Sequence, residues 1–182
     1  IYFGVIFIGM NHKPDLKIRE LNPTEPKEIA LVAARMRQTL VEVLGEEKGT
    51  ALYSMDWLLK RVRWHLDPTQ TTAKIFLAED NKNIIGHAIA RVEMEGEEDR
   101  EKEGGNSPYG YFSTLFVEPN SRNRGVANAL ILHVESWLKQ MGMKRIVYNT
   151  AENHSKLIRL FERNGFHITF REKEMVQLTK QI

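Results

Sequence analysis

The chain has 182 residues, with 26 Lys and Arg against 24 Asp and Glu for a formal charge of +2, and no cysteine. That is one domain's worth of sequence, long enough to bury a core without staples, and it excludes a disulfide frame or a thiolate metal site. The balanced, dispersed charge gives no reason to expect nucleic acid, and the lack of cysteine suits a reducing cytoplasm.

The opening run, Ile1-Tyr2-Phe3-Gly4-Val5-Ile6-Phe7-Ile8-Gly9, is apolar but too short to cross a bilayer, which takes about 20 residues. It carries no basic leader and no Ala-x-Ala-like cleavage site. Residues 1–9 are therefore expected to be an upstream or added extension, with Met10 as the native start and 10–182 as a single domain without membrane association. If ordered, the run's alternation suits a strand added to a sheet edge or to a neighbouring molecule, as in a homodimer.

Leu16 to Glu20 predicts a first strand, broken at Asn22-Pro23-Thr24. Thr24 is expected to cap a helix with Glu25 and Pro26 in its first turn; Ile29, Val32, Met36, Leu40 and Val43 line one face, and Gly45 stops it. A second helix from about Thr50 carries Leu52, Met55, Leu59, Val62 and Leu66 and ends at Asp67-Pro68. Lys74 to Glu79 and Ile84 to Glu95 read as a hairpin across Asp80-Asn81-Lys82-Asn83. Glu95 to Asn106 is an acidic loop with Gly96, Gly104 and Gly105, either a solvated tip or an attraction for a cationic acceptor.

From Tyr109 a strand rich in aromatic and β-branched residues runs to Val117 and is closed by Pro119. Polar residues follow, then a helix with Val126, Leu130, Val134, Trp137 and Met141 on one stripe and Gly142 as its stop. Arg145 to Asn149 reads as a strand. A helix from about Asn153 buries Leu157, Leu160 and Phe161, and Phe166 to Phe170 with Met175 to Thr179 close the chain as a hairpin.

The loop from Arg122 to Asn128 is the candidate site. A loop that opens a helix leaves backbone N–H groups without partners at the positive end of the helix dipole, and phosphate fits there. Gly125 lets a large anion approach, Ala127 keeps the first turn uncrowded, and Arg122 and Arg124 add charge and donors. An ordinary strand-to-helix connection with solvated arginines would read the same way.

Arg122-x-x-Gly125-x-Ala127 after an apolar strand resembles the pyrophosphate loop, Arg/Gln-x-x-Gly-x-Gly/Ala, of the GNAT superfamily of N-acetyltransferases, which bind acetyl coenzyme A. Leu160-Phe161-Glu162-Arg163-Asn164-Gly165-Phe166 is similar to that family's Leu-Tyr-Glu-x-x-Gly-Phe, and the element order β-α-α-β-β-β-α-β-α-β-β is the family's own. The resemblance implies an α/β GNAT (acyl-CoA N-acyltransferase) fold, a mixed and mostly antiparallel sheet with helices on both faces. It implies acetyl-CoA as co-substrate, no metal, and a small-molecule or peptide amine as acceptor. The acceptor attacks the thioester directly, without a covalent enzyme intermediate.

On the same resemblance, the strand at Leu115, Phe116 and Val117 splays from the strand Arg145 to Asn149, and the pantetheine arm pairs between them. A backbone N–H near Phe116 or Val117 would stabilise the oxyanion, worth about 3 kcal/mol from one donor. Arg122, Asn123, Arg124, Gly125, Val126, Ala127 and Asn128 would cradle the pyrophosphate. Asn153 would touch the pantetheine amide or cap its helix, one residue before the family's usual place at His154. Tyr53, Trp57, Trp64 and His65 are candidates for the acceptor wall or for core packing.

A Lys-type amine, with a reference pKa near 10.4, needs a base, whereas an α-amine barely does. Phe161 stands at the cofactor site where many family members place a tyrosine acid, so the thiolate leaves unaided or Tyr148 or Tyr111 protonates it. Tyr111 also stands at the position of a family glutamate base; Glu118 is the nearest carboxylate, Glu93 on the preceding strand and His87 are further candidates, and a water chain to bulk solvent would need no dedicated side chain. There is no Gly-Lys-Ser/Thr, Gly-x-Gly-x-x-Gly, Gly-x-Ser-x-Gly or His-Glu-x-x-His in the chain. A non-catalytic acyl-CoA sensor of the same fold and an enzyme using a longer acyl chain are the alternatives.

Overall fold

A computed structural model describes residues 15–94 and 107–182. The expected extension at 1–9 and the acidic loop from Glu95 to Asn106 lie outside the described residues.

The first strand, β1, is Leu16–Glu20. Helix α1, Pro26–Leu44, follows. Its cap is Glu25, whose carboxylate accepts from the Lys27 N–H, rather than Thr24, which hydrogen-bonds to Asn22 Oδ1 instead. Pro26 occupies the first turn, where a missing N–H costs nothing. Gly45 ends the helix at φ 84°.

The expected second helix is two: α2, Glu46–Ala51, and α3, Met55–Leu66, capped by Ser54 Oγ. The buried residues of α3 are Leu58, Val62 and His65, with Leu59 and Leu66 partly buried against the same core as expected, while Leu52, beyond the break, and Met55, at the first turn, are exposed.

Strands β2, Ala73–Asp80, and β3, Asn83–Glu93, pair antiparallel. Their turn residues Asn81 and Lys82 both have positive φ, 50° and 67°, the backbone twist that joins a tight hairpin. Strand β4, Tyr109–Val117, leads through a short turn at Pro119–Ser121 to helix α4, Val126–Gln140. Its stripe continues through Leu138; Met141 is exposed. Strand β5, Arg145–Ala151, helix α5, Ser155–Arg163, and strands β6, His167–Glu172, and β7, Met175–Gln181, complete the chain.

The seven strands run in the order β1-β2-β3-β4-β5-β7-β6. The final strand inserts between β5 and β6, and β4 with β5 is the parallel pair. Side chains alternate across the sheet. Ile75, Leu77 and Ile89 face Val32, Ala33, Leu58 and Val62 of α1 and α3. Phe76, Ala88, Ala90 and Phe112 face Leu130, Val134 and Leu138 of α4, in a core that includes Phe161 of α5. A Cβ at Gly110 would lie 2.4 Å from Leu138 Cδ1, so glycine there is what lets α4 seat on β4.

Candidate active site

The parallel strands β4 and β5 pair through Gly110 with Ile146, Tyr111 with Val147 and Phe112 with Tyr148, and then part. The register of β3 against β4 shifts between Ile89, opposite Thr114, and Ala90, opposite Phe112. Ser113 is thus an extra residue, and such a bulge bends its strand. Beyond it β4 stays with β3 as far as Gly86 opposite Val117, while β5 stays with β7 as far as Ala151 opposite Met175. A wedge-shaped cleft opens between Ser113–Val117 and 149–151.

One hydrogen bond fixes which backbone groups line it. The Glu118 N–H donates to Ile85 O on β3 at 2.8 Å. Strand alternation then turns the N–H and C=O of Phe116 toward β3 and those of Leu115 and Val117 into the cleft. Consistent with this, the Val117 carbonyl accepts from Arg122 Nε at 2.9 Å. Of the expected oxyanion donors, Val117 therefore faces the cleft, Leu115 joins it, and Phe116 does not.

The wide end of the cleft meets the start of α4. Asn123 and Gly125 both have positive φ, 60° and 82°, and α4 has no side-chain cap. The first backbone bond of the helix runs from Ala129 N–H to Gly125 O at 3.0 Å. Among the described residues, the N–H groups of Asn123, Arg124, Gly125, Val126, Ala127 and Asn128 meet no backbone carbonyl. A run of outward N–H groups at a positive helix end is an anion cradle. A Cβ on Gly125 would meet nothing within 4 Å, so the space before it is open.

The two arginines of the loop do not stand free, as the sequence suggested. Arg122 grips both carboxylate oxygens of Glu42 on α1 at 3.0 Å, and Arg124 pairs with Asp80 at 3.2 Å. What the loop offers a ligand is thus chiefly backbone N–H groups, with both guanidiniums engaged by carboxylates. His154, rather than Asn153, is the N-cap of α5, and Asn153 sits in an exposed turn. Burial lowers the pKa of His154, with Glu42 opposing and Arg122 reinforcing the shift; α1, the loop and the β5–α5 junction therefore meet at this end.

The proposed proton-transfer groups are scattered. Tyr111 is half-buried at the narrow end, its hydroxyl 3.4 Å from Asn149 Nδ2, with the Arg91 guanidinium 4.3 Å above its ring. Tyr148 lies in the core, stacked on Phe161 at 4.1 Å and edge-on to Phe112. Its hydroxyl bonds to Thr150, and burial pushes its pKa up; a tyrosine so placed packs the sheet. Phe161 is fully buried.

Glu118 is held by Arg35 Nε and Nη2 at 2.9 and 2.6 Å. Arg35 is 3% exposed and also bonds Ile84 O, so the carboxylate fastens the end of β4 to α1. Glu93 is paired with Arg91. His87 is fully buried beside Phe116 and Arg35, and desolvation pushes its pKa down to about 3.

Of the acceptor-wall candidates, Tyr53 and Trp57 stack at 4.0 Å and stay exposed. Trp64 is half-buried, whereas His65 is core, 2% exposed with Nδ1 bonded to Arg61 O and its pKa pushed down to about 4. Arg35, Glu42, Arg61, Arg91 and Asn149 were missed. A charged residue beside an apolar stripe, as Arg35 is beside Val32 and Met36, is the one local signal for any of them.

Residues 35–166 match the Acetyltransferase (GNAT) family. The chain is similar to the mycothiol acetyltransferase of Thermobispora bispora, 27% identical over 111 residues, covering 60% of this chain and 36% of that one. It is 25% identical to that of Geodermatophilus obscurus, over 55% of this chain and 30% of the other. The chain thus spans about a third of the length of these relatives. Among solved structures, the PaiA N-acetyltransferase of Thermoplasma acidophilum in complex with coenzyme A superposes with a TM-score of 0.68 at 14% identity, over 92% of this chain and 99% of that one. A GNAT-family acetyltransferase from Listeria monocytogenes gives 0.67 at 15% identity, over 92% and 95%. These likenesses concern the fold.

Proposed function

The chain belongs to the GNAT acetyltransferase family, and on that premise we propose that it moves an acetyl group from acetyl-CoA to a primary amine by direct attack in a ternary complex. The observation that carries this reading is the cleft between β4 and β5, with backbone groups of Leu115 and Val117 along one wall and the open N–H groups of 123–128 at its wide end.

In this reading the pyrophosphate rests on the α4 cradle and the pantetheine arm lies along β4 as an added strand. The Leu115 or Val117 N–H receives the negative charge that develops on the thioester oxygen. The amine enters at the narrow end beside Tyr111 and Asn149. Its nitrogen bonds to the acetyl carbon, the C–S bond breaks, coenzyme A leaves as thiolate, and the amine's proton passes to water. Tyr111 and Asn149 position the acceptor, Glu118 secures the end of β4 through Arg35, and Tyr148 and Phe161 support the wall. Positioning supplies most of the rate.

One observation favours a second reading. Among the described residues, the carboxylates and histidine proposed as bases are each ion-paired or buried: Glu93, Glu118 and His87. A domain that binds acetyl-CoA without turning it over would need none of them. Thiol release from acetyl-CoA across a panel of amines separates the two. Amine-dependent release supports the enzyme; tight binding without release for any amine overturns it in favour of the sensor.

A further inference from the structure

Two guanidinium groups meet beside the narrow end of the cleft. Arg91, on β3, lies 4.3 Å above the Tyr111 ring, and the Tyr111 hydroxyl reaches Asn149 across the last paired rung of β4 and β5. Arg61, on α3, lies 4.2 Å above the Trp64 ring, and Arg91 is 6.0 Å from the same ring. One indole thus has two like charges near it, brought from a helix and a strand. Burial lowers the pKa of Arg61 and the nearby Arg91 lowers it further, with Glu93 opposing.

Among the described residues the two guanidiniums outnumber the carboxylates at this point: Glu93 is engaged by Arg91. Arg61 has no carboxylate within 4 Å among the described residues. Several other arginines of this chain do have carboxylate partners: Arg19 pairs with Glu28 and Glu79, Arg35 with Glu118, Arg122 with Glu42 and Arg124 with Asp80. A partly desolvated guanidinium held over a tryptophan, with no carboxylate within 4 Å among the described residues, is poised for an anion from outside, which its fork of donors suits.

We propose that the acceptor amine carries a carboxylate or phosphate, and that Arg61, with Arg91 beside it, seats that anion while the amine faces the cleft. This rests on the acetyltransferase reading and adds the acceptor's class to it. The acidic segment from Glu95 to Asn106 read as either a solvated tip or an attraction for a cationic acceptor; two guanidiniums at the narrow end would repel a cation. The stacked rings of Tyr53 and Trp57 on the same helical wall offer an apolar surface to the rest of the molecule.

The test uses matched probes, L-phenylalanine against L-phenylalaninamide and O-phosphoethanolamine against ethanolamine, titrated calorimetrically into the full chain saturated with coenzyme A. Binding is read first because the paired amines differ in basicity. The anionic member of at least one pair should bind about 10-fold or more tightly, the scale of a hydrogen-bonded charge contact; which pair discriminates identifies carboxylate or phosphate. Arg61→Gln should bring that ratio to within about 2-fold while the affinity for coenzyme A itself stays unchanged. Neutral probes binding as well as anionic ones, or a preference that survives Arg61→Gln, would overturn the proposal. Thiol release is followed in parallel. Release with neutral amines and no anion preference refutes the acceptor class and keeps the acetyltransferase; Arg61-dependent anion binding without release supports the anion seat and counts against acetyl transfer.

Discussion

Replacing Gly125 by alanine separates the backbone duty of this glycine from its service to a ligand. Its φ of 82° lies in the left-handed region, where a side chain costs about 1–2 kcal/mol. A Cβ there meets nothing within 4 Å, so no steric penalty within the protein adds to that strain. Gly142, at the other end of α4, is an internal control: its φ is 79° and its Cβ would also meet nothing within 4 Å. The two lie on the order of 25 Å apart, from a helical rise of 1.5 Å per residue. Both Gly→Ala variants should therefore lose about 1–2 kcal/mol in urea denaturation, a shift of roughly 2–8 °C in Tm. Gly125→Ala alone should also weaken acetyl-CoA binding by about 10-fold or more, some 1.4 kcal/mol by calorimetry, because its methyl enters the space a diphosphate needs. Unchanged affinity in Gly125→Ala, or an equal loss in Gly142→Ala, would refute the assignment of the loop as the cradle.

Acid should destabilise the fold through its buried histidines. His65 and His87 are pushed down to about 4 and about 3, so below the ordinary value near 6.5 the unfolded chain takes up protons that the folded one refuses. Each then removes about 1.4 kcal/mol per pH unit, up to about 4 kcal/mol for the pair between pH 7 and 5, and His154 acts in the same direction. Urea midpoints at the two pH values measure this; a His65→Gln, His87→Gln double variant with an unreduced pH dependence would contradict it. Glu118→Gln should cost about 3 kcal/mol, more than Arg35→Met, because it strands a buried guanidinium; if Glu118 positions rather than catalyses, the pH profile of kcat stays unmoved. Tyr148→Phe should lose about 1 kcal/mol with its hydrogen bond to Thr150 and leave kcat within about 3-fold; a 100-fold fall in kcat would restore it as the acid.

What the sequence disclosed was local. The Gly125 turn, the start of α4 and the Asn81-Lys82 hairpin are set by backbone conformations of a few adjacent residues, and those residues announce them. The break at Leu52 to Ser54 escaped notice because Leu52 and Met55 continue an apolar rhythm that the capping of α3 by Ser54 cuts. The cleft itself depends on Ser113 bulging against β3 and on β7 inserting beside β5, neither visible in any one segment. Arg122 turns to a glutamate 80 positions away, and Arg35 to one 83 away, pairings that no local stretch of sequence shows. The pairing of Arg61 with Arg91 likewise exists because α3 packs across β2 and β3.

Amide hydrogen exchange resolved by residue tests docking of acetyl-CoA between β4 and β5 most directly. On adding the ligand, the N–H groups of Leu115, Val117 and residues 123–128 should slow, while that of Phe116, already turned toward β3, should not change. Saturable binding that leaves Leu115, Val117 and the loop amides exchanging as before would contradict docking in the cleft.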